Sequence, residues 1–219
     1  MPRYRINYSK REPASFISHL DLVRTLERSF RRAGLPLAYS EGFNPHPRFS
    51  FAAPLPVGIE GTAEVLDVEL REPVGCSEFA VSLNEVLPLG LSVIQVAEIT
   101  GASVISLAKL TTGAYMMCLI SEYPSNKPTL APLEDFLGQT TIEVLRRGKD
   151  GREKIKDIRP GIIAMEQLAD QDGLVFSLML KIGGDLSVRP EDVLESFAKY
   201  SQVAVDKADL RIIRTKLSA

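Results

Sequence analysis

The sequence predicts an α+β protein built from two tandem ferredoxin-like (βαββαβ) domains with antiparallel sheets. The chain has 219 residues, enough for two domains of about 100 residues each. Its first hundred residues follow the order strand, helix, strand, strand, helix, strand, which is the split βαβ order of that fold. A compatible order recurs after a polar, weakly periodic segment. We therefore predict domains at 1–100 and 109–219, joined by a connector at 101–108.

The first domain begins with a strand and an amphipathic helix. Residues 3–8 alternate charged with apolar or aromatic side chains, which is typical of a strand with one side in water. Ser18 and Asp21 then form an S-x-x-D capping box that starts a helix, and Gly34 ends it. The apolar positions of this helix recur at helical spacing and are Leu22, Val23, Leu26, Phe30 and Ala33.

A Pro/Gly-rich stretch follows this helix. Residues 41–61 hold four prolines and three glycines, which predicts a loop that leaves room for a short strand in 48–52. Three elements complete the domain: a strand at 63–70, a helix at 77–87 and a strand at 91–99.

The second domain contains the same kinds of element and one additional hairpin. The Gly-Lys-Asp-Gly run at 148–151 predicts the turn of that hairpin, and an ion pair between Asp157 and Arg159 is expected to hold it. The predicted elements are a strand at 109–120, a short helix within 128–138, strands within 141–147, 153–169 and 174–182, a helix at 190–199 and a last strand at 211–217.

Composition excludes several classes of site and of protein. The 45% hydrophobic and 25% charged residues are ordinary for a globular chain. Cys76 and Cys118 lie 42 positions apart without a zinc-knuckle or CxxxCxxC spacing, so we expect no metal and no cofactor on this chain. The common nucleotide-binding, hydrolase and zincin motifs do not occur. Without a signal peptide or an apolar run of about 20 residues, we expect a cytoplasmic protein and no membrane partner.

Charge is distributed unevenly along the chain. The whole chain has a net charge of −2, but residues 1–48 hold nine basic and four acidic residues, and the remainder carries −7. Within the basic segment, Arg24, Arg28 and Arg31 lie on one helical face, with Arg32 beside them. This spacing suits the phosphates of a nucleic acid or an acidic protein surface, and an ordinary solvated helix face is the alternative.

Both histidines of the chain, His19 and His46, also lie in the basic segment. A neutral His19 in the first helical turn could accept a proton or bind a metal, although a histidine packed under a loop is the favoured interpretation. Pro45 and Pro47 stiffen the backbone around His46. The alternating Asn44, His46 and Arg48 could therefore face one partner, or the stiff loop could cover a hydrophobic core.

Several segments together resemble a known family. ISHLD at 17–21, YSEGFNPHPR at 39–48 and PLPVG at 54–58 are similar to radical-SAM-linked proteins of unknown function, in which a comparable domain is fused to, or encoded beside, a radical S-adenosylmethionine protein. DIRP at 157–160 and VRPEDVL at 188–194 agree more weakly, and Gly61-Thr62 stands where the family usually has a serine. The resemblance implies a partner that carries an iron–sulfur cluster and S-adenosylmethionine. It implies no catalytic residue on this chain.

These observations favour an accessory or binding module that acts with a radical-SAM partner on RNA or an RNA-containing complex. One alternative is an enzyme, in which His19 and His46 cleave RNA without metal, or His19, Asp21 and His46 bind a divalent ion. Another is an adaptor whose basic helix docks on an acidic surface of the partner. Catalysis by this chain alone is the less favoured hypothesis. The predicted binding residues are Arg24, Arg28, Arg31, Arg32, Asn44, His46 and Arg48.

Overall fold

The chain folds as a mixed α+β protein with mostly antiparallel strands and few helices, which confirms the predicted class. The structure is a computed structural model, and it describes residues 1–101, 105–119, 130–147, 151–168, 174–204 and 210–219. Part of the predicted connector (102–104) and most of the predicted hairpin turn (148–150) lie outside the described residues.

Contacts divide the chain into two compact units. The first unit is Met1–Leu110 with Arg214–Ala219, and the second is Thr111–Ile213. The sequence-based division assigned all of 109–219 to a second domain, whereas the last six residues make their contacts with the first unit.

The first unit is a sheet with helices on one face. Its elements are β1 (Arg3–Lys10), α1 (His19–Arg32), β2 (Phe49–Phe51), β3 (Glu60–Glu69), α2 (Cys76–Asn84), β4 (Leu91–Glu98) and the end of β10 (Leu210–Ser218). The strand order is β4-β1-β3-β10, with β2 also paired to β3, and the β1–β3, β1–β4 and β2–β3 pairs are antiparallel.

The core of the first unit lies between the sheet and its two helices. Alternate residues of β1 are buried, and they form one cluster with the apolar faces of α1 and α2. Phe79 of α2 contacts Tyr4 of β1 and Phe30 of α1 edge to face, at ring distances of 5.3 and 5.5 Å. This packing fixes α1 on the sheet and turns its arginines toward water.

The elements of the second unit are β5 (Thr112–Leu119), α3 (Leu133–Leu137), β6 (Glu143–Arg147), β7 (Glu153–Asp157), β8 (Ile162–Leu168), β9 (Leu174–Lys181), α4 (Pro190–Tyr200) and the beginning of β10. Its strand order is β10-β5-β9-β8, and β6 and β7 form a separate two-stranded hairpin. Arg146 of this hairpin donates two hydrogen bonds to Asp192 in the first turn of α4.

The predicted ion pair of Asp157 and Arg159 is wrong. Asp157 Oδ1 accepts the backbone N–H groups of Ile142 and Arg159, at 2.9 and 3.0 Å. The Arg159 guanidinium donates instead to the carbonyl oxygens of Leu137 and Ile162, at 2.7 and 3.2 Å. Both side chains satisfy backbone groups at turns, where buried polar atoms need partners. Among the described residues, no helix is long and apolar enough to cross a membrane.

Candidate functional site

The start of α1 is fixed by the predicted capping box. Ser18 Oγ accepts the backbone N–H of Asp21 at 3.2 Å and donates to the Asp21 carboxylate at 2.7 Å. The other oxygen of this carboxylate lies 3.4 Å from the Arg24 guanidinium. Asp21 therefore acts as a helix cap and a partner of Arg24, and both of its oxygens are already engaged.

The predicted arginine stripe divides into two kinds of side chain. Arg24, Arg28 and Arg31 point into solvent, and Arg28 and Arg31 form no ion pair with any acid in the part of the chain that the structure describes. Arg32 donates to the carbonyl oxygen of Val86, just beyond α2, and to Ser29 Oγ. Arg32 thus links the ends of the two helices, and among the described residues the positive charge without an acid partner on this face lies on Arg28 and Arg31.

The loop that holds His46 is closed by its own hydrogen bonds. The backbone N–H of Ser40 donates to the His46 carbonyl oxygen at 2.8 Å, and the His46 N–H donates to Ser40 Oγ at 3.0 Å. Tyr39 and Pro47 form a β-bridge just below them. Within this closed loop Asn44 and His46 are exposed.

Unlike Asn44 and His46, Arg48 is held by contacts with other residues of the first unit. Its Nε donates to the Tyr39 carbonyl oxygen at 3.3 Å, and its Nη1 lies 3.0 Å from the carboxylate of Glu69 on β3. Arg48 therefore attaches the base of the loop to the sheet.

Tyr39 connects the loop to α1. Its hydroxyl donates to the Glu27 carboxylate at 3.2 Å. Burial and the charge of Glu27 raise the pKa of Tyr39, while the positive charges of Arg31 and Arg71 oppose that rise. The loop base and the arginine face of α1 are therefore neighbours and form one surface.

The two histidines occupy different surroundings. The His19 ring is half-buried and packs edge to face on Phe51, with ring centres 4.9 Å apart, whereas His46 is exposed on the loop. Within the described ranges no hydrogen bond joins any two of His19, Asp21 and His46. No group of three potential metal ligands forms among those residues either.

A buried ionic cluster below the start of α1 contains residues that the sequence reasoning missed. Arg214 of β10 donates through Nε and Nη2 to the two oxygens of Glu64 on β3, at 2.8 and 2.5 Å. Both side chains are at most 3% exposed, and Lys10 at the end of β1 is 1% exposed. A Cβ on Gly61 would meet the Glu64 carboxylate at 2.5 Å, so only glycine leaves that side chain its place.

This cluster positions the segments that flank the candidate surface. Lys10 Nζ donates to the carbonyl oxygens of Ser15 and Ile17, directly before α1, at 3.3 and 3.0 Å. Arg214 donates to the Ala53 carbonyl oxygen, after β2, at 2.7 Å. Burial lowers the pKa of Lys10; the negative charge of Glu64 opposes this and the positive charge of Arg214 adds to it.

One member of this cluster, Lys10, could have been identified from the sequence pattern of β1. Lys10 continues the buried alternation of Tyr4, Ile6 and Tyr8 along β1, and a charge at an inward strand position indicates a buried partner. Its neighbours could not be identified in the same way, because Arg214 lies 150 positions from Glu64 in the chain.

A shallow depression of about 250 Å³ lies on the sheet beside β2 and β3. Its charged walls already pair with one another or with β1: Glu69 meets Arg3 and Arg48, and Asp67 is bound by Arg5. The depression therefore offers balanced charges and no free cation among the described residues that line it.

Comparisons with known proteins place the chain in a bacterial family. The model of a family described as an uncharacterized protein conserved in bacteria (DUF2344) matches residues 3–190. No curated protein matches the chain. One similar solved structure is described as "Crystal Structure of a Cbf5-Nop10-Gar1 Complex", with a TM-score of 0.47 and 12% identity. The similarity covers 98% of this chain and 48% of that one, so this chain spans about half its length. A TM-score below 0.5 establishes neither a shared fold nor a shared function.

Proposed function

The chain belongs to this conserved bacterial family, and we propose that it is a binding module for RNA or an RNA-containing complex that acts with a radical-SAM enzyme. The observation that carries the RNA part is the exposed arginine face of α1, formed by Arg24, Arg28 and Arg31. The partner part rests on the resemblance in ISHLD, YSEGFNPHPR and PLPVG. In this proposal the partner carries the iron–sulfur cluster and S-adenosylmethionine.

The arginine face is long enough and exposed enough to bind the phosphates of a nucleic acid strand. Positions 24, 28 and 31 lie on one side of a helix and cover about 10 Å along its axis, longer than the spacing of charges along a nucleic acid strand. Arg24 is already paired with Asp21, but both side chains are more than half exposed. Such a surface pair contributes about 0–1 kcal/mol, so a phosphate can replace Asp21 at little cost.

The strand orders support a tandem ferredoxin-like description as part of the same proposal. In the first unit β2 pairs with β3 in the order β4-β1-β3, and the second unit has the order β10-β5-β9-β8 with hairpin β6–β7 as an insertion. A ferredoxin-like fold serves many unrelated functions, so RNA binding is proposed from the side chains of α1 and not from the fold.

The direct test is RNA binding as a function of salt concentration. The full chain and the double variant Arg28→Glu/Arg31→Glu are titrated into labelled RNA between about 50 and 200 mM salt, the range in which phosphate contacts weaken strongly. Loss of two phosphate contacts is expected to reduce the slope of log K against log salt by about 1.4–1.8. An unchanged affinity and slope would contradict RNA binding by this helix.

A matched control separates local contacts from net charge. Lys154→Glu/Lys199→Glu changes the charge by the same amount at two exposed lysines of the second unit. We expect this control to bind RNA with the wild-type slope. An equal loss in both double variants would mean that only overall charge matters.

The partner is tested by copurification with a radical-SAM protein, which the resemblance leads us to expect beside the gene. The proposal predicts a complex that carries crosslinked RNA, and sequencing of that RNA identifies the target. If charge reversal on α1 abolishes the complex and nuclease treatment of the wild type does not, the helix is a protein-docking face and RNA binding is the wrong assignment.

A further inference from the structure

Phe43 stands at the tip of the His46 loop with its ring in water. Its relative exposure is 106%, the highest among the large hydrophobic side chains that the structure describes. Aromatic side chains of this kind usually bury about 150–250 Å² when they pack, so a fully solvated ring leaves a large contact area unused. The ring is therefore available for a partner.

The loop holds Phe43 away from the protein core. Ser40 and His46 close the loop by two hydrogen bonds, and Arg48 attaches its base to β3. Gly42, with φ of +117°, supplies a backbone conformation that side-chain-bearing residues rarely adopt. A loop restrained in this way loses little conformational entropy when a ligand binds its tip.

We propose that Phe43 is a stacking platform for an unpaired nucleobase, so that the ligand of this surface is single-stranded RNA. This inference rests on the proposed function, because the phosphates of the same strand would lie along Arg28 and Arg31. Tyr39 contacts Glu27 of α1, which places the base of this loop beside the arginine face of the helix. Asn44, exposed beside Phe43, offers an amide that can hydrogen-bond to a base edge.

The charges around the loop favour a single strand over a duplex or an acidic protein. The loop carries one acid, Glu41, and the charge of Arg48 is balanced by Glu69, so the tip has no cation of its own for a phosphate. An aromatic ring without a neighbouring cation, beside a basic helix, matches the arrangement of single-strand binders, in which basic groups contact the charged backbone and separate aromatic groups stack on the bases. The bases of a duplex are stacked inside it and cannot reach such a ring.

The absence of tryptophan from the sequence allows a direct spectroscopic test. Phe43→Trp in the full chain creates a single indole fluorophore at the loop tip. The control variant, Ile94→Trp, places its fluorophore at an exposed position of β4, an edge strand on the other side of β1 from β3 and β2. Addition of unstructured oligouridine is expected to quench the indole emission of the Phe43→Trp variant and to leave that of the Ile94→Trp variant unchanged. Bound RNA without a change of emission in the Phe43→Trp variant would overturn the stacking assignment.

Affinities separate this inference from the proposed function. Phe43→Ala is expected to weaken oligouridine binding about 5- to 150-fold without changing the salt slope, and Phe43→Tyr to restore it. Duplex RNA of equal length should bind both variants alike. If Phe43→Ala has no effect while Arg28→Glu/Arg31→Glu lowers the slope, the stacking inference fails and the proposed function stands. If neither variant changes binding, both fail.

Discussion

Arginine has opposite roles in two regions of the first unit. Arg214 is 2% exposed, and its guanidinium is held by both oxygens of Glu64 and by the Ala53 carbonyl oxygen. Arg28 and Arg31 carry the same group into solvent with no acid partner among the described residues. Burial makes the first guanidinium part of the fold, and exposure leaves the other two for a ligand. Changes at the two places should therefore separate stability from binding.

The largest effect is expected from Arg214→Met, which leaves the Glu64 carboxylate buried without its cation. Removal of one member of a buried ion pair typically costs about 3–5 kcal/mol of the free energy of unfolding. Urea unfolding followed by circular dichroism measures this loss.

The double variant Arg214→Met/Glu64→Leu is the control for this prediction. Replacement of both charges by apolar side chains removes the unpaired carboxylate, so the double variant should recover much of the lost stability. A double variant as unstable as Arg214→Met would show that packing, and not the unpaired charge, causes the loss.

The next effect depends on pH and concerns Tyr8, which is buried beside the same cluster. Burial and the charge of Glu64 raise the pKa of Tyr8 above its ordinary value of 10, against a smaller opposing effect of Arg214. Above about pH 10 the unfolded chain releases this phenolic proton and the folded chain retains it. The free energy of unfolding should then fall by up to about 1.4 kcal/mol per pH unit.

Tyr8→Phe is expected to remove this fall. Urea unfolding of both proteins at about pH 8 and about pH 11, on either side of the ordinary tyrosine pKa, gives the difference. Lys10, whose lowered pKa makes stability rise with pH, is present in both proteins and cancels in the comparison. An identical pH dependence in the variant would place the Tyr8 hydroxyl in water, contrary to its 6% exposure.

A smaller loss is expected from Ser18→Ala at the start of α1. Ser18 Oγ accepts the backbone N–H of Asp21, and removal of such a cap costs about 1 kcal/mol. Thermal unfolding should show this loss, and Ser50→Ala, at an exposed position of β2, should show none. Equal melting temperatures for Ser18→Ala and the wild type would contradict the cap.

The smallest effect on stability belongs to the exposed side of the comparison. Arg28→Ala removes no hydrogen bond or ion pair within the described residues, so we expect the free energy of unfolding to change by less than about 0.5 kcal/mol. RNA affinity should nevertheless fall, with a salt slope smaller by about 0.7–0.9. Urea unfolding and binding titrations on the same preparation check both values, and a stability loss as large as that of Ser18→Ala would place Arg28 in the fold.

Local patterns predicted most of the secondary structure. The S-x-x-D box identified the start of α1, and alternation identified β1, because caps and strand faces depend on residues a few positions apart. The short strand β2 was found within the Pro/Gly-rich stretch, although β3 begins at Glu60, inside the range predicted as loop. Its boundary depends on pairing with β1, which no local pattern contains.

The candidate site was predicted less completely than the fold. The sequence identified the arginine face and the stiff loop, but it grouped Arg32 and Arg48 with the free arginines. Arg32 instead binds the Val86 carbonyl oxygen and Arg48 binds the Glu69 carboxylate, and these partners lie 54 and 21 positions away in the chain. Phe43 lies within the loop that the sequence predicts, but only the structure shows that its ring is exposed to solvent and not packed in the core.

The amino-acid sequence by itself determined the α+β class, the basic first fifth of the chain and the helix that carries its arginines. These properties follow from composition and from the spacing of residues a few positions apart, within one or two helical turns. Only the tertiary structure decided which charges are free and which are buried. Arg214 contacts Glu64, which lies 150 positions away in the chain, because β10 lies beside β3 in the sheet. Since both side chains are buried there, their charges stabilise the fold and are not accessible to a ligand.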